Sequence, residues 1–112
     1  MSIADIILAM AMSGKGGNTN QPLFVHLHHT GGLIYESDIQ FKDLYSAVSQ
    51  DREIVVISDL GERWYVNDAK QNDNNKYVIS IFCSGGSGVV TIYAIANTAT
   101  STDYAEFRDG GV

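Results

Sequence analysis

A single cysteine, Cys83, leaves this chain no partner with which to close a disulfide on itself. Its 112 residues suffice to bury a core without disulfides or metals, and they fit one domain. Cys83 sits within an apolar run and reads as a small core hydrophobe in a strand; a reducing compartment is compatible with it. Basic residues are scarce. Seven Lys plus Arg stand against 13 Asp plus Glu, a net charge of −6. That argues against sequence-independent nucleic-acid binding, which needs a basic face, and against an anionic membrane surface. No apolar run approaches the ~20 residues of a bilayer span. There is one proline, Pro22, and there are no internal repeats.

What the sequence does have is an unusual beginning. Ser2 is a good N-cap, with Asp5 three residues on. Ile3, Ile6, Ile7 and Met10 follow at i, i+3, i+4 and i+7, one helical face. The remaining positions through Met12 are also mostly apolar, so this helix wants burial on more than one side. It lacks the positive n-region of a signal peptide. Isolated helices of fewer than roughly 12–15 residues are marginal in water, so this one must dock. Residues 14–21, rich in glycine and asparagine, form a flexible linker. Ser13 to Gln21 can span roughly 15–18 Å as a random coil. The sequence therefore divides into an anchoring or oligomerisation helix over 1–13, a linker over 14–21 and a small domain over 22–112. Ile3, Ile6, Ile7 and Met10 are the expected partner-binding face.

Within the domain, Leu23 to His29 alternates with period two and predicts a strand. Gly31-Gly32 marks a turn, and Leu33 to Glu36 resumes as a hairpin arm. Ser37 and Asp38 offer helix caps, and Phe41, Leu44, Tyr45 and Val48 predict a helix over 39–50. That helix ends at Asp51-Arg52 without a glycine stop. Ile54 to Ile57 is a β-branched run that suits a strand buried on both faces. Arg63 to Asn67 gives the next strand, residues 68–76 a polar loop, and Tyr77 to Cys83 and Val89 to Ala96 a further pair of strands. Tyr104 to Phe107 reads as a short edge strand. The expected fold is α+β: an N-terminal helix and glycine-rich tether, then an antiparallel sheet of five to six strands covered by one helix. A small β-sandwich is the alternative.

Candidate chemistry is sparse. His26 and His28 share one face of a strand, a spacing that can hold two ligands of one zinc or iron. A catalytic metal needs a third ligand, and nothing in the sequence places Asp38, Asp59 or Glu62 beside them. Gly14-Lys15-Gly16-Gly17 lacks the spacing of a phosphate loop, and no G-x-S-x-G is present. No catalytic, cofactor or metal residue is assigned, and the expected class is not an enzyme. Trp64, Tyr65 and Tyr93 are a possible ligand surface, for example a sugar-stacking platform.

The opening Met1-Ser2-Ile3-Ala4-Asp5-Ile6-Ile7-Leu8-Ala9-Met10-Ala11-Met12, followed by a glycine-rich stretch, resembles minor structural proteins of tailed phages and prophages of gut bacteria. Phe24-Val25, Ser37-Asp38, Phe41-Lys42-Asp43-Leu44, Ile54-Val55-Val56 and Trp64-Tyr65-Val66 extend the likeness more loosely over about 22–107. The resemblance implies a virion component of head-fibre, decoration or tail-associated type, assembled in the host cytoplasm with other virion proteins and with copies of itself. It carries no catalytic residues. A receptor- or glycan-binding module is the second reading, and a metal-dependent enzyme at His26 and His28 the third.

Overall fold

The computed structural model describes residues 21–86 and 88–110. The expected helix over 1–13, with Ile3, Ile6, Ile7 and Met10, and the linker through residue 20 lie outside the described residues. Within them, seven strands and one helix follow in the order β1 (Leu23–Gly31), β2 (Ile34–Gln40), α1 (Phe41–Ser49), β3 (Ile54–Ser58), β4 (Arg63–Gln71), β5 (Tyr77–Gly85), β6 (Gly88–Ala96) and β7 (Tyr104–Asp109).

The sheet closes. Its strand order is β1-β2-β7-β6-β5-β4-β3, with β3 returning to β1. This overturns the expected α+β fold with an open, helix-covered sheet, and the β-sandwich as well. Two units build the ring: the β1–β2 hairpin and the β3-to-β7 meander. They join at two seams. Leu23 to Leu27 of β1 pair in parallel with Ile54 to Ser58 of β3, and β7 pairs antiparallel with β2, Tyr35 opposite Phe107. The Tyr104 stretch, expected at an edge, is the staple that removes the edge. Neither seam follows from local pattern, because both join residues far apart in sequence.

Period-two alternation then selects the interior. Val25 and Leu27, Tyr35, Trp64, Ile79 and Ile81, Ile92, and Phe107 point inward and fill it. A barrel of about this strand number is just wide enough for side chains to fill. β5 is the strand buried on both faces: Val78, Ile79, Ser80 and Ile81 are consecutive buried residues. The β-branched β3 is not; Ile57 faces solvent. β4 also runs past the expected strand end, to Gln71, through an irregularity between Val66 and Asp68 that restores the inward phase at Ala69.

The helix plugs one end of the barrel instead of covering a face. It links the end of β2 to the start of β3, which lie at the same end. Phe41, Leu44 and Ala47 are buried there, and Tyr45 meets Tyr77 edge-on at 5.6 Å between ring centroids. Ser37 and Asp38, expected as caps, belong to β2, and Gln40 at the N-cap position makes no side-chain capping bond. Backbone does the work: the Phe41 amide donates to the Asp103 carbonyl (2.8 Å) and the Lys42 amide to that of Ser101 (3.0 Å). The C-terminus closes without glycine because Asp51 takes φ +60°. Its amide then donates to Val48 O and the Arg52 amide to Ala47 O, the two bonds of a Schellman cap.

Leu44→Ala is expected to cost about 2–5 kcal/mol in urea unfolding, as for other buried leucines. Asp51→Gly is expected to stabilise by about 0.5–1 kcal/mol, because glycine adopts the left-handed conformation without steric cost.

Candidate functional site

With α1 in one end, the other end is left to side chains and turns. The β1–β2, β3–β4 and β5–β6 connections gather there, around a cavity of about 460 Å³. Leu33, Tyr35, Glu62, Trp64, Cys83 and Val90 contribute to its wall.

The turn after β3 positions the charge. Gly61, at φ +82°, lets its amide reach back to the Ser58 carbonyl at 3.0 Å, and Ser58 and Glu62 then pair through the Ser58 amide and Glu62 carbonyl at 2.8 Å. The buried Ser58 hydroxyl accepts from the Leu60 and Glu62 amides, both at 3.2 Å, and donates to Glu62 Oε1 at 3.2 Å. The Tyr35 hydroxyl donates to the same oxygen at 2.7 Å. Glu62 is half-buried and held from two strands at once. Burial, and then the Glu62 carboxylate, push the Tyr35 hydroxyl well above its usual range. The same two causes, in the same order, raise the Cys83 thiol, which keeps it protonated and a poor nucleophile at neutral pH.

An aromatic row backs the wall. His29 meets Tyr35 edge-on at 5.1 Å, and Tyr35 meets Trp64 edge-on at 5.3 Å. Trp64 is only 2 % exposed. Its indole Nε1–H is buried and has no acceptor among the described residues. A buried donor without an acceptor costs roughly 1–3 kcal/mol, so its presence here calls for an explanation.

The expected ligand surface is not assembled. Trp64 points into the barrel, whereas Tyr65 points outward, 48 % exposed, against Phe82 at 5.4 Å. Tyr93 lies on the outer face of β6, two strands away. It lines a groove of about 590 Å³ with Ile95, Tyr104 and Arg108. That groove exists because β6 and β7 pair only at Ile92–Asp109 and Tyr93–Arg108, while residues 101 and 103 are held by the helix.

His26 and His28 do share the outer face of β1, with ring centroids 4.6 Å apart. Asp38 is adjacent, its Oδ1 accepting from the His26 backbone amide at 3.0 Å. No cluster of three metal-ligating side chains occurs among the described residues.

No family model, curated protein or solved structure matches this chain. The chemistry of the barrel therefore has to be read from its own geometry.

A second surface is apolar. On the outer face, Phe24 of β1 stands beside Val55 of β3 and Tyr65 of β4 beside Phe82 of β5, while Ile57 of β3 stands between His26 and Arg63. Phe24 is 68 % and Val89 66 % exposed, and Tyr65 and Ile57 are exposed as well. The band crosses strands β1, β3, β4, β5 and β6, and it begins two residues after Pro22, where the chain enters the barrel.

No sequence pattern singles out Tyr35, and Glu62 stands there only as a carboxylate that nothing places beside His26 and His28. The only local signal was the Ser58-x-x-Gly61-Glu62 turn. The raised Tyr35 hydroxyl has a stability consequence. A group whose folded pKa lies above its unfolded value contributes fully below the unfolded value, near 10 for tyrosine, and loses that contribution as pH rises beyond it. Thermal melts are expected to hold steady from pH 7 to about 9 and to fall beyond about 10. Tyr35→Phe is expected to flatten the alkaline fall, a change that melts of the two proteins across this range would register.

Proposed function

We propose that this protein is a non-enzymatic virion structural or decoration protein. Residues 1–13 anchor it to other virion proteins and to copies of itself, and the barrel projects from the linker. The carrying observation is the exposed apolar band on the barrel's outer face. Several exposed apolar side chains on neighbouring strands of a folded domain favour protein–protein contact. The occupant that fits best is a second copy of this chain. The band starts at Phe24, next to the point where a 20-residue segment with an apolar first dozen residues joins the barrel. That segment and the band would bury each other's apolar surface across a multimer. The phage-protein resemblance of Met1 to Met12 supports the same reading and adds the virion setting. No helix among the described residues is long and apolar enough to cross a membrane.

A filled barrel suits this role. Its core needs no partner to be complete, so the domain can stand on a flexible tether and still present one defined surface. Glu62 already accepts two protein hydroxyls, and the Cys83 thiol is raised, so the mouth is built to hold groups in place more than to attack them.

Deleting residues 1–13 is expected to convert a multimer into a folded monomer, read by light scattering with circular dichroism as the folding control. Tyr65→Ser combined with Phe24→Ser is expected to weaken the multimer at least tenfold while leaving the melting curve little changed, since both side chains are exposed. Unchanged multimer size in both variants would refute the assembly reading.

A further inference from the structure

The outer face of β1 carries two imidazoles that the fold itself does not use. His29, near the end of the strand, bonds the Gly32 carbonyl through Nε2 at 2.7 Å and meets Tyr35 edge-on. His26 and His28 are exposed, and neither ring makes such a bond to a described residue. They lie against each other, with centroids 4.6 Å apart and planes tilted by 32°. Two imidazoles on one tetrahedral zinc, with Zn–N of about 2.0–2.1 Å, hold their ring centroids about 5 Å apart. A small side-chain rotation therefore turns this pair into two ligands of one ion.

The surroundings favour a cation held by imidazole. His28 is directly opposite Glu36 on β2. Asp38 of the same strand lies beside His26, its Oδ1 taken by the His26 backbone amide at 3.0 Å. On the β3 side, Asp59 accepts from the His29 amide at 3.2 Å. All three carboxylates belong to exposed residues. A metal-bound imidazole commonly gives its second N–H to a carboxylate, which fixes the ring and raises its basicity. Glu36 and Asp38 are the neighbours suited to that. The nearest cations stand further off: Ile57 separates His26 from Arg63, and Arg108 is engaged by Glu106 at 2.8 Å.

One chain supplies only two ligands. No third metal-ligating side chain converges on the pair among the described residues, whereas structural zinc takes four. His26 and His28 follow Phe24 on the same face of β1, and the exposed Ile57 is the cross-strand neighbour of His26. A second copy that meets this face about a two-fold axis brings the same pair to the same place, because such a contact uses one patch twice. We infer that one zinc ion is held between two copies of this chain by His26 and His28 of each. The inference rests on the reading that copies of this chain meet, and it gives that contact a metal-dependent part. The ion also does what apolar side chains cannot. Two chains of net charge −6 meeting here set Glu36, Asp38 and Asp59 of one against those of the other, and a divalent cation at the axis offsets that repulsion.

The full chain is freed of metal with a chelator, and its size is followed by sedimentation velocity over a dilution series as zinc chloride is added. The expected endpoint is one zinc per two chains, with self-association tightened at least about tenfold. X-ray absorption at the zinc edge is expected to show four nitrogen ligands at about 2.0–2.1 Å. His26→Ala combined with His28→Ala, both at exposed positions, is expected to keep the metal-free assembly and the melting curve and to lose the zinc response. Glu36→Gln retains both ligands and is expected to weaken zinc binding about ten- to a hundredfold. No zinc binding, zinc bound at one per chain without a change in size, or a zinc response that survives the double histidine variant would each overturn the inference and leave the apolar contact standing. A chain that is monomeric without zinc and paired with it would instead refute the apolar contact and keep the metal bridge. A monomer under both conditions would refute both.

Discussion

The structure depends on one closure, the insertion of β7 between β2 and β6. Without it the β1–β2 hairpin and the β3-to-β7 meander are two ribbons joined by a short helix, each with free edges and half a core. With it, Phe107 and Ala105 enter the interior, and Tyr35 is fixed opposite Phe107. Full closure is the arrangement that removes the exposed strand edges of a β-protein. The parallel seam between β1 and β3 finishes the same job on the other side, and it places the end of β3, with Ser58, beside Leu27.

The asymmetry of the barrel's two ends follows from that topology. The connection from β2 to β3 must return to the end where β1 begins, so α1 has to lie there. Its amphipathic face, Phe41, Leu44 and Ala47, then becomes a stopper. Its unsatisfied N-terminal amides take the carbonyls of Asp103 and Ser101, which draws the start of β7 away from β6 and opens the groove beside Tyr93. The opposite end receives no helix, and its polar groups settle their hydrogen bonds among themselves through Ser58, Glu62 and Tyr35, with the Trp64 indole left over.

Much of the local structure was legible in the sequence. Strand alternation placed Val25 and Leu27 inside and His26 and His28 outside, and the helical spacing of Phe41, Leu44 and Val48 located α1 to within a few residues. The errors have identifiable causes. Ser37 and Asp38 resemble helix caps, yet the strand continues through them because β2 has neighbours on both sides to pair with. The β-branched Ile54–Ile57 resembles a doubly buried strand, yet its outer face belongs to the exposed band. Trp64, Tyr65 and Tyr93 resemble a platform, yet the pleat sends Trp64 and Tyr65 to opposite faces.

Local periodicity set where most of the strands and the helix lie and which face of most is apolar, because it depends only on near neighbours, while the ends of β2 and β4 and the exposed face of β3 follow from their partners in the sheet. The sequence by itself also set the acidic charge, the lone cysteine and tryptophan, and the apolar first dozen residues. Tertiary structure alone decided that the sheet closes, that the helix stoppers an end, and that Tyr35, Ser58, Glu62, Trp64 and Cys83 meet. Tyr35 and Glu62 lie 27 residues apart and share a hydrogen bond only because two seams bring their strands into one ring. Pairing of that kind is set by register and closure across the whole sheet, and no local stretch of the chain carries it.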